Sequence, residues 1–116
     1  MEKNISYYLR DNQQKNRVEF QIRNFDYIDG GDKIANIWSK KYDVLVSDRI
    51  DGIWLIVTPI INQGNKLNIV WHEDCGIFIY SENQTEEANY RLEEMVKYAV
   101  EEINRQIDIY NQNNPS

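Results

Sequence analysis

Apolar residues recur at two periods along this chain, and the change of period marks its organisation. Over residues 17–28, Val18, Phe20 and Ile22 alternate with Glu19, Gln21 and Arg23. That is the pattern of a strand with one face buried. The apolar phase slips at Asn24, after which Phe25 and Tyr27 carry it; a bulge or a change of sheet face would absorb the slip. Asp29-Gly30-Gly31-Asp32 then breaks the chain. Residues 33–41 fit a helical turn through Ile34, Ile37 and Trp38 with Asp32 as N-cap, or equally an irregular strand.

Residues 42–47 read as a strand and 48–52 as a turn. The run 53–61 is almost entirely apolar, which implies a central strand or one covered on both faces. Pro59 should make it bulge or end. A hairpin loop at 62–65, a strand at 67–71, a tight turn at 72–76 and a strand at 77–80 follow. Connections this short make the meander antiparallel. Ahead of all this, Ile5, Tyr8 and Leu9 stand at helical spacing in a polar stretch, so residues 3–14 read as a short helix.

The period lengthens at about Thr85. From there to Tyr110, residues Ala88, Leu92, Met95, Val96, Ala99, Ile103, Ile107 and Tyr110 share one face of a helix. Thr85, or Asn83 with Glu86 three residues on, supplies the N-cap; Glu86 and Glu87 suit the positive end of the dipole. Packed on the sheet, that stripe contributes several kcal/mol at about 25 cal/mol per Å². The pattern therefore predicts an α+β fold: an antiparallel β-meander of four to five strands against a long C-terminal amphipathic helix, with a short N-terminal helix. It reads as a single domain over residues 1–110 with a frayed polar tail at 111–116.

Composition narrows the function classes. A formal charge of −6 and scattered basic residues disfavour direct contact with nucleic acid or an anionic membrane. They suit a basic protein partner, or simply solubility. The single cysteine, Cys75, forms no internal disulfide, and the N-terminal residues open no apolar stretch, so the cytoplasm is the expected location. The surplus of Ile over Leu and the abundance of Asn, Tyr and Lys hint at a bacterial or phage origin.

Opposite the apolar stripe, Glu87, Glu94, Glu101 and Asp108 recur every seven residues. Seven residues advance about 10.5 Å and rotate the helix back about 20°, so the four carboxylates line up as a ridge. Arg91, Lys97 and Arg105 stand at i,i+4 from Glu87, Glu93 and Glu101 and would partly neutralise it. Such a face is ordinarily just solvated. With Tyr90 beside it, it also has the composition of a contact surface for a basic partner.

Two polar clusters carry weaker chemistry. His72, Asp74 and Cys75 share one turn as candidate metal ligands or an acid–base pair, but tight-turn neighbours seldom reach the geometry either role needs. Asp43, Asp48 and Asp51 surround another turn and could hold Mg²⁺ with Glu73 or Asp74; an Asp-rich hairpin explains them as well. Phosphate loops and nucleophile elbows are absent, and no cofactor is implied. The expectation is a non-enzymatic, acidic protein-binding module, an inhibitor or immunity-type protein for a basic toxin or defence effector. The alternative is a small-molecule carrier with a cavity lined by Trp38, Trp54, Trp71 and Phe78, and the reserve is an enzyme acting through His72.

Overall fold

Seven strands and two helices follow in the order β1 (Ser6–Asn12), β2 (Arg17–Arg23), α1 (Gly30–Lys41), β3 (Val44–Val46), β4 (Ile50–Asp51), β5 (Leu55–Asn62), β6 (Asn65–His72), β7 (Gly76–Ser81) and α2 (Glu86–Asn113) in the computed structural model, which describes residues 4–113. The strands form one antiparallel sheet in the order β1-β2-β7-β6-β5-β3, with β4 also pairing β5. The α+β class, the β5-β6-β7 meander and the long C-terminal helix are as the pattern predicts. The strand number is not, because β1 and β4 add to the expected five.

The N-terminal helix is overturned. Residues 6–12 form β1, paired along its whole length with β2. Asn12 shapes the turn between them by accepting from the Lys15 backbone N–H at 3.1 Å, and Asn16 takes a left-handed φ of 53°. As an edge strand, β1 is largely wet on both faces, so inward Tyr7, with buried Ile5 just ahead of the strand, leaves no clean alternation to read. The phase slip at Asn24 is also explained. Its φ of 64° ends β2 and swings Phe25 into the core.

The ambiguous stretch after Gly31 is helical. α1 begins at Gly30, where an added Cβ would lie 2.2 Å from Ile77 Cδ1. Glycine is what lets the helix settle on the sheet. Both helices lie on one face: Ile34 and Trp38 of α1 and Leu92, Val96 and Ile103 of α2 share a core with Phe20, Ile60, Ile69 and Ile79. Trp38 is sealed, and its Nε1–H donates to the Met95 carbonyl at 2.9 Å, tying the helices together. Thr85 caps α2 by accepting from the Ala88 N–H at 3.1 Å. The expected stripe is buried from Ala88 to Ile103, with Val100 added; Ile107 is half-buried and Tyr110 exposed. α2 continues through Asn113 rather than fraying at 111, and residues 114–116 of the expected tail lie outside the described residues, as does Lys3 of the expected first helix.

The edge beside β5 is divided by Pro59. Its carbonyl accepts from the Ser47 N–H at 3.0 Å, and in an antiparallel strand a residue's N and O face the same neighbour. The missing Pro59 N–H therefore faces the β3/β4 side, where pairing lapses between Val46 and Ile50. At the other end of β5, Gln63 and Gly64 both take positive φ, the two-residue reversal that matches strand twist.

Candidate functional site

Strand alternation and the pairing register define the sheet face that α1 and α2 do not cover. Tyr8, Arg10 and Asn12 of β1 lie across from Gln21, Glu19 and Arg17 of β2, and Phe78 and Tyr80 of β7 continue the surface. Further along come Val70 and Asn68 of β6, then Leu55, Val57, Pro59 and Ile61 of β5, then Leu45 of β3 and Ile50 of β4.

At the β1-β2-β7 end this face is closed by its own side chains. Glu19 is fully buried, ion-paired to Arg10 and Arg17 and hydrogen-bonded by Asn12 Nδ2 at 3.1 Å. Burial alone would push its carboxyl up; the bonds from Arg10, Arg17 and Asn12 outweigh that and hold it below the ordinary carboxylate value. The guanidiniums also cover rings, with Arg17 3.6 Å from the Tyr80 centroid, Arg23 4.3 Å from Tyr8 and Arg10 5.2 Å from Phe78.

The β3-β4-β5 end has no such cover. Leu45, Ile50 and Leu55 lie exposed on one face beside half-buried Val57 and Ile61. The turn from β4 into β5, closed by Gly52 N–H to the Leu55 carbonyl at 2.7 Å, lifts Ile53 and Trp54 into solvent at 87% and 61% exposure. On the opposite face of β4, an ion-pair network ties this edge to α1. Arg49 bonds Asp51 at 2.8 Å and reaches Asp32 of α1 at 3.2 Å, which anchors β4 to the helix and holds the guanidinium above its ordinary pKa, Asp51 contributing most. The β6–β7 turn lies against the same prong: Glu73 N–H donates to the Trp54 carbonyl at 2.9 Å, and Trp54, His72, Glu73 and Asp74 line a shallow hollow.

That contact brings the His72-Asp74-Cys75 turn to the apolar end, in a role the sequence did not suggest. His72 Nδ1 accepts from the Asp74 backbone N–H at 3.1 Å, and Cys75 is exposed with its carbonyl taking a bond from Gln21 Nε2 at 2.6 Å. Among the described residues, no three His, Cys, Asp or Glu side chains gather as a metal site. Asp43 and Asp48 stay exposed, and Asp51 is engaged by Arg49.

On α2, Glu87, Glu94, Glu101 and Asp108 are all exposed, and Tyr90 is 69% exposed beside them. Their expected neutralisation is redirected. Arg91 Nε donates to Asn62 Oδ1 at 2.8 Å, and Arg105 pairs with Glu102 at i,i+3 instead of Glu101. The four aromatics expected around a cavity do not converge: Trp38 is in the core, Trp54 is on the prong, Trp71 donates to Asp26 Oδ1 at 3.1 Å, and Phe78 faces away from the helices. A half-open groove of about 410 Å³ lies elsewhere, by Phe25 and the last turns of α2.

Searches of family models, curated proteins and solved structures return no match to this chain. Among the described residues, no helix is long and apolar enough to cross a membrane.

Proposed function

We propose that this chain is a protein-binding module of the inhibitor or immunity type, which holds a basic partner protein through the uncovered end of its sheet. The observation that carries the reading is that Leu45, Ile50, Ile53 and Trp54 are each more than half exposed along the β3-β4-β5 side, Leu45 and Ile50 on the uncovered sheet face opposite Ile61 and Val57, and Ile53 and Trp54 in the turn that leads into β5. A small protein that buries Trp38 completely elsewhere has no packing reason to leave such a cluster wet. Exposed apolar side chains concentrated along one side of a small domain are the mark of a docking surface.

Its composition fits that use. Trp54 and branched aliphatics supply the apolar anchors, and Glu73 and Asp74 lie beside Trp54 as acidic flanks, the arrangement of an interface whose energy sits in a few desolvated anchors. The acidic flanks and the net charge of −6 select basic surfaces and speed encounter with them. The ridge of Glu87, Glu94, Glu101 and Asp108 with Tyr90 extends the same acidic character to α2 and serves as a second, outlying contact.

The test is affinity capture from the native cell or host with the wild-type chain, Trp54→Ala and Leu45→Asp, at low and high salt. Trp54→Ala should weaken the captured complex about thirtyfold or more, as loss of a hot-spot side chain of about 2 kcal/mol does. Its melting temperature should stay that of the parent. A partner retained equally by all three chains would refute the assignment of this surface.

A further inference from the structure

The two edges of the sheet are finished differently, and the difference lies in the backbone. At the far edge β3 has 3 residues and β4 has 2, and pairing lapses between them beside Pro59. β1 has 7 residues, pairs β2 in unbroken register and contains no Pro or Lys. It lacks the short length, bulge, proline and lysine that ordinarily blunt an open edge.

The direction of its backbone groups follows from the bonds around it. Val18 of β2 lies opposite Asp11, and its N–H turns away from β1 to donate to Gln84 Oε1 at 2.8 Å. Opposed residues in an antiparallel pair alternate between exchanging backbone bonds and not exchanging them. Asp11, Leu9 and Tyr7 therefore hold the non-exchanging positions, and their N–H and C=O groups point out of the sheet, away from β2. Ile5 has the same parity, and its groups are satisfied. Its N–H donates to Asn104 Oδ1 at 2.7 Å, and its carbonyl accepts from Asn104 Nδ2 at 3.0 Å. One side-chain amide on α2 thus completes the first rung as a neighbouring strand would. Among the described residues, no such bond completes the rungs at Tyr7, Leu9 and Asp11.

We infer that this edge is closed by β1 of a second copy, in an antiparallel twofold dimer. Asn104 ends the free stretch at Ile5 and the β1–β2 turn ends it at Gln13, so its centre is Leu9, an outward-facing rung with a side chain more than half exposed. A twofold axis there sets Leu9 against Leu9, Tyr7 against Asp11 and Tyr8 against Arg10. No like charges are opposed, and about six backbone bonds form. The free stretch of each copy ends where the other's does. The far edge offers no matching strand, so association stops at the dimer. The exposed β3-β4-β5 sides stay open at the two outer ends of the joined sheet, and either reading can fail without the other.

The test is sedimentation of the full chain across micromolar concentrations, with amide hydrogen exchange on the same samples. A species of twice the chain mass should form reversibly. It should tighten as salt rises, because two copies of charge −6 repel; a basic partner held by charge shows the opposite trend. As the dimer forms, exchange should slow at the N–H groups of Tyr7, Leu9 and Asp11 and stay unchanged at Tyr8 and Arg10, which already face β2. Leu9→Pro removes only an outward N–H and leaves the β1–β2 bonds in place. It should weaken association about tenfold or more. Should that chain fail to fold, Leu9→Lys and Leu9→Glu carry the test: each sets like charges at the axis and weakens association, and mixing the two restores it. Trp54→Ala should associate like the parent. The inference is overturned by a chain that stays monomeric at every concentration, or by slowed exchange without the alternation. It is also overturned by a dimer that survives the Leu9 variants or is abolished by Trp54→Ala.

Discussion

The two ends of the helix-free sheet face are made by the same strand alternation and end in opposite surfaces. At the β1-β2-β7 end, rings and an acid that point away from the core are roofed by Arg10, Arg17 and Arg23. At the β3-β4-β5 end, aliphatics that point the same way are left exposed at Leu45, Ile50 and Leu55 and half-buried at Val57 and Ile61. A guanidinium can lie flat on a ring while keeping its edge hydrated, so an arginine-rich strand makes its own cover. β3, β4 and β5 contain no Arg or Lys at all. Where the chain supplies no cover of its own, we propose that another molecule does.

The comparison breaks most visibly at Glu19, which the covered end depends on. Glu19→Gln should destabilise the fold by about 2 kcal/mol, because two guanidiniums lose a fully buried charged acceptor. The melting temperature should fall by about 10 °C. The pH dependence has a definite sign. A carboxyl held below its ordinary value in the folded state contributes stability that is complete above the unfolded pKa and lost as pH falls through the lower folded one. The parent should therefore lose stability on acidification below about pH 4, and urea midpoints across pH 2–6 should show a shallower loss for Glu19→Gln. An equally steep loss in the variant would place the acid sensitivity elsewhere.

A smaller effect tests whether the acidic ridge belongs to the docking surface. Glu94→Lys with Glu101→Lys should leave stability within about 0.5 kcal/mol of the parent, since both side chains are exposed. Surface plasmon resonance against the partner should show slower association and a weaker salt dependence, with dissociation little changed. Unchanged association would reduce the ridge to a solvated helix face and leave the sheet end as the whole contact.

Much of this architecture is legible in the residues. Alternation at 18–23, the turn chemistry at 63–64 and the 3.6-residue stripe from Ala88 to Ile103 each point to one element, because the face that packs in the apolar core stamps its period on the sequence, even in β2, whose polar face is buried as well through Glu19 and Gln21. β1 escapes for the opposite reason: an edge strand with little burial has no period to show. The run 53–61 is more instructive. Its apolarity implies a central strand or one covered on both faces; β5 is central, between β6 and β3 with β4, and yet Leu55, Val57 and Ile61 project from the face without helices. An apolar run reports that a strand is suited to burial, not whether its own chain completes it. Arg91 and Arg105 likewise had plausible i,i+4 partners, and only the fold could offer Asn62 to one of them. The groove at Phe25 joins residues from opposite ends of the chain and has no local signature.

The finest distinction between the two ends lies in the ring contacts. If the arginine cover is a packing device as much as an ion-pair device, shortening a ring beneath it should cost stability even with Glu19 intact. Tyr80→Leu keeps apolar bulk on β7 and removes the surface on which Arg17 lies at 3.6 Å. Arg17 remains free to pair with Glu19 at 2.7 Å. The expected loss is about 0.5–1 kcal/mol, the usual worth of a partly exposed cation–π contact, measured as a urea midpoint shift with an unchanged slope. The same substitution in Glu19→Gln should be costlier than alone, because Arg17 then has neither acceptor nor ring to hold it. Strict additivity of the two changes would mean that the ion pair and the stack hold Arg17 independently, and the cover at this end would be two separate contacts in place of one cooperative layer.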